Sequence, residues 1–206
     1  MKSYVLCLTA TLALLVLALP AVSSAGPVTD TVNTTVDKVI TILNDPAMKG
    51  PAKEDARRKK IMNAVTEVFD FGEMAKRSLG LYWKVRKPAE RAEFVSLFTD
   101  LIERSYINRI EGYSGEKIIY DKEDVDGDNA TVKSHFLTKR RETIPVDYKL
   151  ILENGKWRVY DMVIENVSLV NNYRVQFNKI IRTSSYEDLV KKMKNKAETE
   201  NFVSSK

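Results

Sequence analysis

The stretch Trp157-Arg158-Val159-Tyr160-Asp161-Met162-Val163-Ile164-Glu165-Asn166-Val167-Ser168-Leu169-Val170-Asn171-Asn172-Tyr173-Arg174-Val175-Gln176-Phe177-Asn178-Lys179-Ile180-Ile181 changes its period half-way. Trp157 to Ile164 alternates, which predicts a strand with Trp157, Val159, Asp161 and Val163 on one face and Arg158, Tyr160, Met162 and Ile164 on the other. From Val167 to Ile181 the apolar residues Leu169, Val170, Tyr173, Phe177, Ile180 and Ile181 fall on or near one side of a helix. A strand thus runs almost without a spacer into an amphipathic helix. Both faces of the strand carry apolar bulk, so helices are expected to cover part of each.

Upstream, Asn154-Gly155 is the strongest hairpin signal of the chain. It joins this strand to Ile144–Leu152, in which Val146, Tyr148, Leu150 and Leu152 share one face. Ala130–Thr138 and Lys117–Glu123, joined at Asp126-Gly127, complete a four-stranded antiparallel meander. The first half of the chain is helical. Val32, Val36, Val39, Ile40 and Leu43 set a helix over 31–43, and Gly26–Asp30 ahead of it is expected to lack order. A second helix, 52–68, begins with the charge run Lys53 to Lys60, read as a solvated face. Asp70 is placed to cap a short helix over 72–79 that Gly80 ends. Pro88 opens a long helix to about residue 110, with Phe94, Phe98, Leu101, Ile102 and Tyr106 as its buried stripe. Ser185-x-x-Asp188 resembles a capping box for a last helix near 186–196. Helices gathered before and after an antiparallel sheet give an α+β class.

Residues 1–25 read as a signal peptide. Lys2 is basic, Val5–Leu19 is apolar, Pro20 ends the run, and Ser23-Ser24-Ala25 offers small residues ahead of a cut before Gly26. The apolar run is too short for a membrane anchor. The single cysteine, Cys7, lies inside it, so the processed chain is expected to hold no disulfide, thiol nucleophile or cysteine metal site. Residues 26–206 are expected to form one domain with a frayed tail from about residue 198. Formal net charge is +5, and removal of Lys2 with the leader leaves about +4, which mildly favours acidic partners or anionic head groups without indicating nucleic acid.

Signals of catalysis are sparse. His135 is the only histidine, and it needs an orienting carboxylate to act as a base. Asp147 and Asp161 sit on strands among apolar neighbours, where pairing with arginine or backbone N–H groups is the favoured role. No nucleophile elbow, Walker loop, HExxH or dinucleotide fingerprint is present, and one histidine without cysteine makes a transition-metal site improbable. Aromatic and aliphatic side chains are abundant, and they serve equally well to fill a solid core or to line an apolar cavity.

One pattern runs through nearly the whole chain. Phe69-Asp70-Phe71, Met74, Leu79-Gly80 and Trp83 come first, then Glu90-Arg91, Phe94, Phe98, Leu101 and Tyr106, then Ile144-Pro145-Val146-Asp147-Tyr148, then the stretch from Trp157 to Phe177. In this order and spacing the chain resembles the MlaC family of periplasmic phospholipid-binding proteins, also called toluene-tolerance auxiliary components. The resemblance implies a helical layer packed on a four-stranded antiparallel NTF2-like sheet enclosing an apolar cavity. It implies a periplasmic carrier, not an enzyme, that holds phospholipid as cargo and no cofactor. The implied partners are an outer-membrane lipoprotein complex and an inner-membrane ABC transporter with an MCE-domain subunit, with transport supporting outer-membrane lipid asymmetry. A monomer is expected. The inward phase of the long helix and sheet nominates Phe94, Phe98, Leu101, Tyr106, Val132, Phe136, Val146, Tyr148, Leu150, Val159 and Val163 as acyl-chain contacts. Two other readings stay open on the residues alone: an NTF2-like isomerase or dehydratase using Asp147 or Asp161 with His135, and a chaperone-like module with an apolar groove for peptide.

Overall fold

The computed structural model describes residues 26–195; the leader at 1–25 and the tail expected from about 198 lie outside the described residues. The chain runs through α1 (Pro27–Asn44), α2 (Glu54–Thr66), α3 (Phe71–Leu79), α4 (Pro88–Glu111), β1 (Lys117–Asp126), β2 (Asn129–Leu137), β3 (Thr143–Glu153), β4 (Lys156–Ile164), β5 (Val167–Ser168), α5 (Leu169–Thr183) and α6 (Tyr186–Lys194). The five strands form one antiparallel sheet in sequence order, so the class is α+β as expected.

The fifth strand corrects the four-strand expectation. Glu165 and Asn166 both adopt positive φ, 49° and 66°, and form a two-residue turn that folds Val167-Ser168 back onto Val163-Ile164. Two residues expected to open the helix therefore extend the sheet, and α5 begins at Leu169. The start of α1 differs too. Gly26–Asp30 is ordered, because Pro27 suits the first helical turn and the Glu123 carboxylate accepts from both Thr29 N and Thr29 Oγ1 at 2.7 Å. A Cβ at Gly26 would come within 2.2 Å of Glu123 Oε1, so glycine admits that carboxylate to the helix N-terminus.

The side chains divide into two apolar clusters. The helical one joins α3, α4, α5 and α6 through Phe94, Phe98, Tyr173 and Phe177, whose rings meet edge-on or tilted at 5.6–5.7 Å. The sheet cluster packs Val28 and Val32 of α1 onto Val132, Val146, Tyr148, Leu150 and Val159. Phe69 packs against both. The residues around it form a one-residue parallel bridge to β4: Val159 N donates to Val68 O at 2.9 Å, and Asp70 N donates to Val159 O at 2.8 Å. That bridge ends the second helix at Thr66, short of the expected Val68, and it sets Asp70 to accept from Glu73 N at 2.8 Å as the cap of α3.

α2 is less free than its charge run suggested. Arg57 and Arg58 turn to Glu111 at the C-terminal end of α4, with Arg57 Nε donating at 2.7 Å and Arg58 Nε at 3.1 Å. Burial pushes the Glu111 carboxyl up, but the Arg58 and Arg57 hydrogen bonds outweigh this and hold it below the ordinary range.

Candidate functional site

A β-bulge decides which side chains share a surface. Leu150 pairs with Val159, whereas Lys149 pairs with Asp161, so β4 carries one extra residue, Tyr160. Trp157 and Val159 keep the face of Leu150 and Leu152, while Met162 and Ile164 turn to join Tyr148 and Val146 on it. Asp161 and Val163 move to the opposite face, beside Lys149 and Asp147. The expected alignment of Trp157, Val159, Asp161 and Val163 is therefore broken after Val159, and Val163 leaves the apolar face. No local sequence signal marks that extra residue.

The resulting face has two parts. Under α1, Val132, Val146, Tyr148, Leu150 and Val159 are buried. Half-buried Phe136, Ile144, Met162 and Ile164 pack against these residues, Phe136 pairing with Ile144, Ile164 with Val146 and Met162 with Tyr148. Polar groups on this surface are few. Ser134 Oγ donates to Val146 O at 2.6 Å, and the buried Tyr120 Oη has no hydrogen-bond partner. Burial pushes the Tyr148 phenol up, and the nearby Tyr120 adds to this; burial likewise pushes up Tyr120, with Asp37 of α1 contributing. Both phenols thus stay neutral hydrogen-bond groups in an apolar setting. An open crevice of about 400 Å³ lies at this side, between Asn33, Val36, Asp37 and Ile40 of α1 and the segment 113–119.

Phe94, Phe98 and Leu101 do not share that face. They are wholly buried in the helical cluster, where half-buried Tyr106 packs against them. The nominated residues therefore split, with Val132, Phe136, Val146, Tyr148, Leu150 and Val159 on the sheet face and the α4 residues among the helices. Tyr120, Ile144, Met162 and Ile164 were not nominated. The alternation that selected Val146 and Tyr148 also selects Ile144, whereas Met162 and Ile164 depend on the bulge.

The acid–base groups lie apart from this surface. His135 Nδ1 is 2.7 Å from Asp121 Oδ2, on the strand face away from Ser134 and Phe136. Asp161 is 4% exposed and accepts from Ser168 Oγ at 2.6 Å and Val170 N at 3.0 Å, so it fixes the first turn of α5. No hydrogen bond joins His135 to Asp147 or Asp161 among the described residues. Nor do the described residues gather three potential metal-ligating side chains of the His, Cys, Asp or Glu type. What the face offers chemically is a long apolar surface with two neutral phenols, suited to hydrocarbon bearing a small polar group.

Residues 33–195 match the family model of the MlaC protein. Over 124 residues the chain is 27% identical to the intermembrane phospholipid transport system binding protein MlaC of Haemophilus influenzae, and the matched stretch spans 58% of either chain. A solved structure of a phospholipid-binding protein from Ralstonia solanacearum, in complex with a phospholipid, shares the fold with a TM-score of 0.72 at 22% identity, over 84% of this chain and 96% of that one.

Proposed function

Because the chain belongs to the MlaC family, we propose that it binds glycerophospholipid and carries it between membranes of the cell envelope. In this reading the protein works in the periplasm after its leader is removed. It exchanges cargo with an outer-membrane lipoprotein complex and an inner-membrane ABC transporter bearing an MCE-domain subunit, and so supports outer-membrane lipid asymmetry. The observation that carries the reading is the apolar sheet face, on which half-buried Phe136, Ile144, Met162 and Ile164 adjoin the buried cluster.

The energetics require such a surface. Each methylene removed from water is worth about 0.8 kcal/mol, so two acyl chains of roughly thirty methylenes would cost on the order of 20 kcal/mol to expose. A carrier must therefore enclose the tails throughout the aqueous crossing. Tails entering between the sheet and the helices would part the two apolar clusters and complete an NTF2-like cavity. Val132, Phe136, Val146, Tyr148, Leu150 and Val159 would then form one wall, and Phe94, Phe98, Leu101 and Tyr106 would back the other. Val163 is left out, since it shares the face of Asp147.

Mass spectrometry of organic extracts from the purified protein tests cargo binding, with stoichiometric phospholipid expected. Transfer between donor and acceptor complexes tests the carrier role. Protein without phospholipid, or transfer equally fast without the complexes, would overturn it.

A further inference from the structure

Exposed aliphatic side chains and unpaired cations meet at the turn between α3 and α4. Leu81 is 83% exposed and Val85 68%, with exposed Lys84 between them in sequence. This turn is tied down. Arg91 donates from Nε to Trp83 O at 3.2 Å and from Nη2 to Lys84 O at 3.1 Å, and Arg86 stacks 4.4 Å over the Tyr186 ring. Scattered single aliphatics on a surface mean little. Here two are held outward by a fixed backbone.

Beside the turn opens a cleft of about 910 Å³ lined by Lys76, Arg77, Lys84, Lys149 and Arg174. Its one lining carboxylate, Asp161, is already committed to Ser168 and Val170. Lys76 and Arg77 share Glu73, and Arg174 donates to Asn171 Oδ1. Lys84 and Lys149 have no carboxylate partner among the described residues. The cleft thus concentrates positive charge on one side of a chain of mixed charge. Lys149 and Asp161 belong to the sheet face opposite Tyr148 and Met162, so this surface is separate from the one proposed for cargo.

We propose that this turn and cleft form a docking surface for an anionic phospholipid bilayer. Leu81 and Val85 enter the boundary between head groups and acyl chains, while Lys84, Lys149 and Arg174 meet lipid phosphates. Exposed aliphatic side chains beside a group of cations fit a layer whose charge lies at its surface and whose apolar phase lies beneath. An acidic protein partner would satisfy the cations but gives the two protruding aliphatics no such phase.

Co-sedimentation of the protein with sucrose-loaded vesicles tests this. Binding is expected to vesicles of phosphatidylcholine with added phosphatidylglycerol, not to phosphatidylcholine alone, and to fall with salt. Near an anionic surface each withdrawn cation weakens partitioning about fivefold. Lys84→Glu with Lys149→Glu should therefore lose at least about tenfold, as should Leu81→Asp with Val85→Asp. Lys59→Glu with Lys60→Glu makes the same charge change on α2, whose Arg57 and Arg58 reach the far end of α4, about 36 Å along that helix. That control should bind as the wild type does, and all variants should keep their co-purifying phospholipid. Absence of binding to anionic vesicles would overturn the proposal in favour of an acidic protein partner. An equal loss in the α2 control, or a loss of cargo together with vesicle binding, would overturn it as well.

Discussion

Val159 and Phe69 face each other across a one-residue parallel bridge, in which the Val159 N–H donates to the Val68 carbonyl and the Val159 carbonyl accepts from the Asp70 N–H. Val159 pairs with Leu150 on the other side, so the bridge occupies the edge of β4 that β5 leaves uncovered. Chain ahead of α3 is thereby joined to the sheet, and Phe69 enters both apolar clusters. The same geometry makes Asp70 the cap of α3.

Asp70→Ala should therefore lower stability by about 1 kcal/mol, the usual cost of losing an N-cap oxygen, whereas Asp70→Asn should stay near wild type because asparagine caps equally well. Thermal unfolding of the two variants measures this. An equal loss in both would show that charge, not capping, is the relevant property.

Asp161→Ala should cost about 2–3 kcal/mol in urea unfolding, because it leaves the Val170 N–H and the Ser168 hydroxyl without their buried acceptor. An unchanged midpoint would mean that α5 does not depend on this carboxylate for its start.

Phe98 and Met162 separate core from candidate cargo surface. Phe98 is fully buried among Phe94, Tyr173 and Phe177, so Phe98→Ala should cost about 3–5 kcal/mol. Met162 is half-buried on the sheet face, so Met162→Asp should keep the fold and reduce co-purifying phospholipid. Mass spectrometry beside circular dichroism reads both effects, and full lipid content in a folded Met162→Asp protein would remove that face from the proposed site.

Glu111 gives a pH signature. Its carboxyl is held below the ordinary range in the folded chain, so its contribution is complete above the unfolded value of about 4.3 and is lost as pH falls through the lower folded value. Glu111→Gln should cost about 1 kcal/mol at neutral pH, as expected of a partly buried pair, and less in acid. Unfolding series at neutral and acidic pH should converge for the two proteins; parallel curves would assign the loss to packing.

The helices were readable where local rules act alone. Asp70, Pro88 and Ser185 mark starts that the structure keeps, and the turn at Asn154-Gly155 joins β3 to β4 as its residues require. The misread places depend on distant partners. Thr29 orders the start of α1 through Glu123, a residue 94 positions away. The extra residue in β4 exists only against β3, and it moved Val163 off the apolar face while bringing Met162 and Ile164 onto it. The turn to β5 had a weak local signal in Asn166, a residue type that tolerates positive φ, but Glu165 beside it obscured the pair. Buried aromatics posed the remaining difficulty, since helical spacing selects Phe98 whether it fills a core or walls a cavity.

The sheet's two sides meet water on unequal terms. Val68–Asp70 and β5 cover β4, while no strand pairs with the outer side of β1 among the described residues. That strand carries Lys117, Asp121, Lys122, Asp124 and Asp126, and its register slips between Tyr120 and Lys122. Charges and a kink of this kind make a poor template for a second copy. A chain rich in apolar surface is thus guarded against growing into fibres by the composition of a single rim strand.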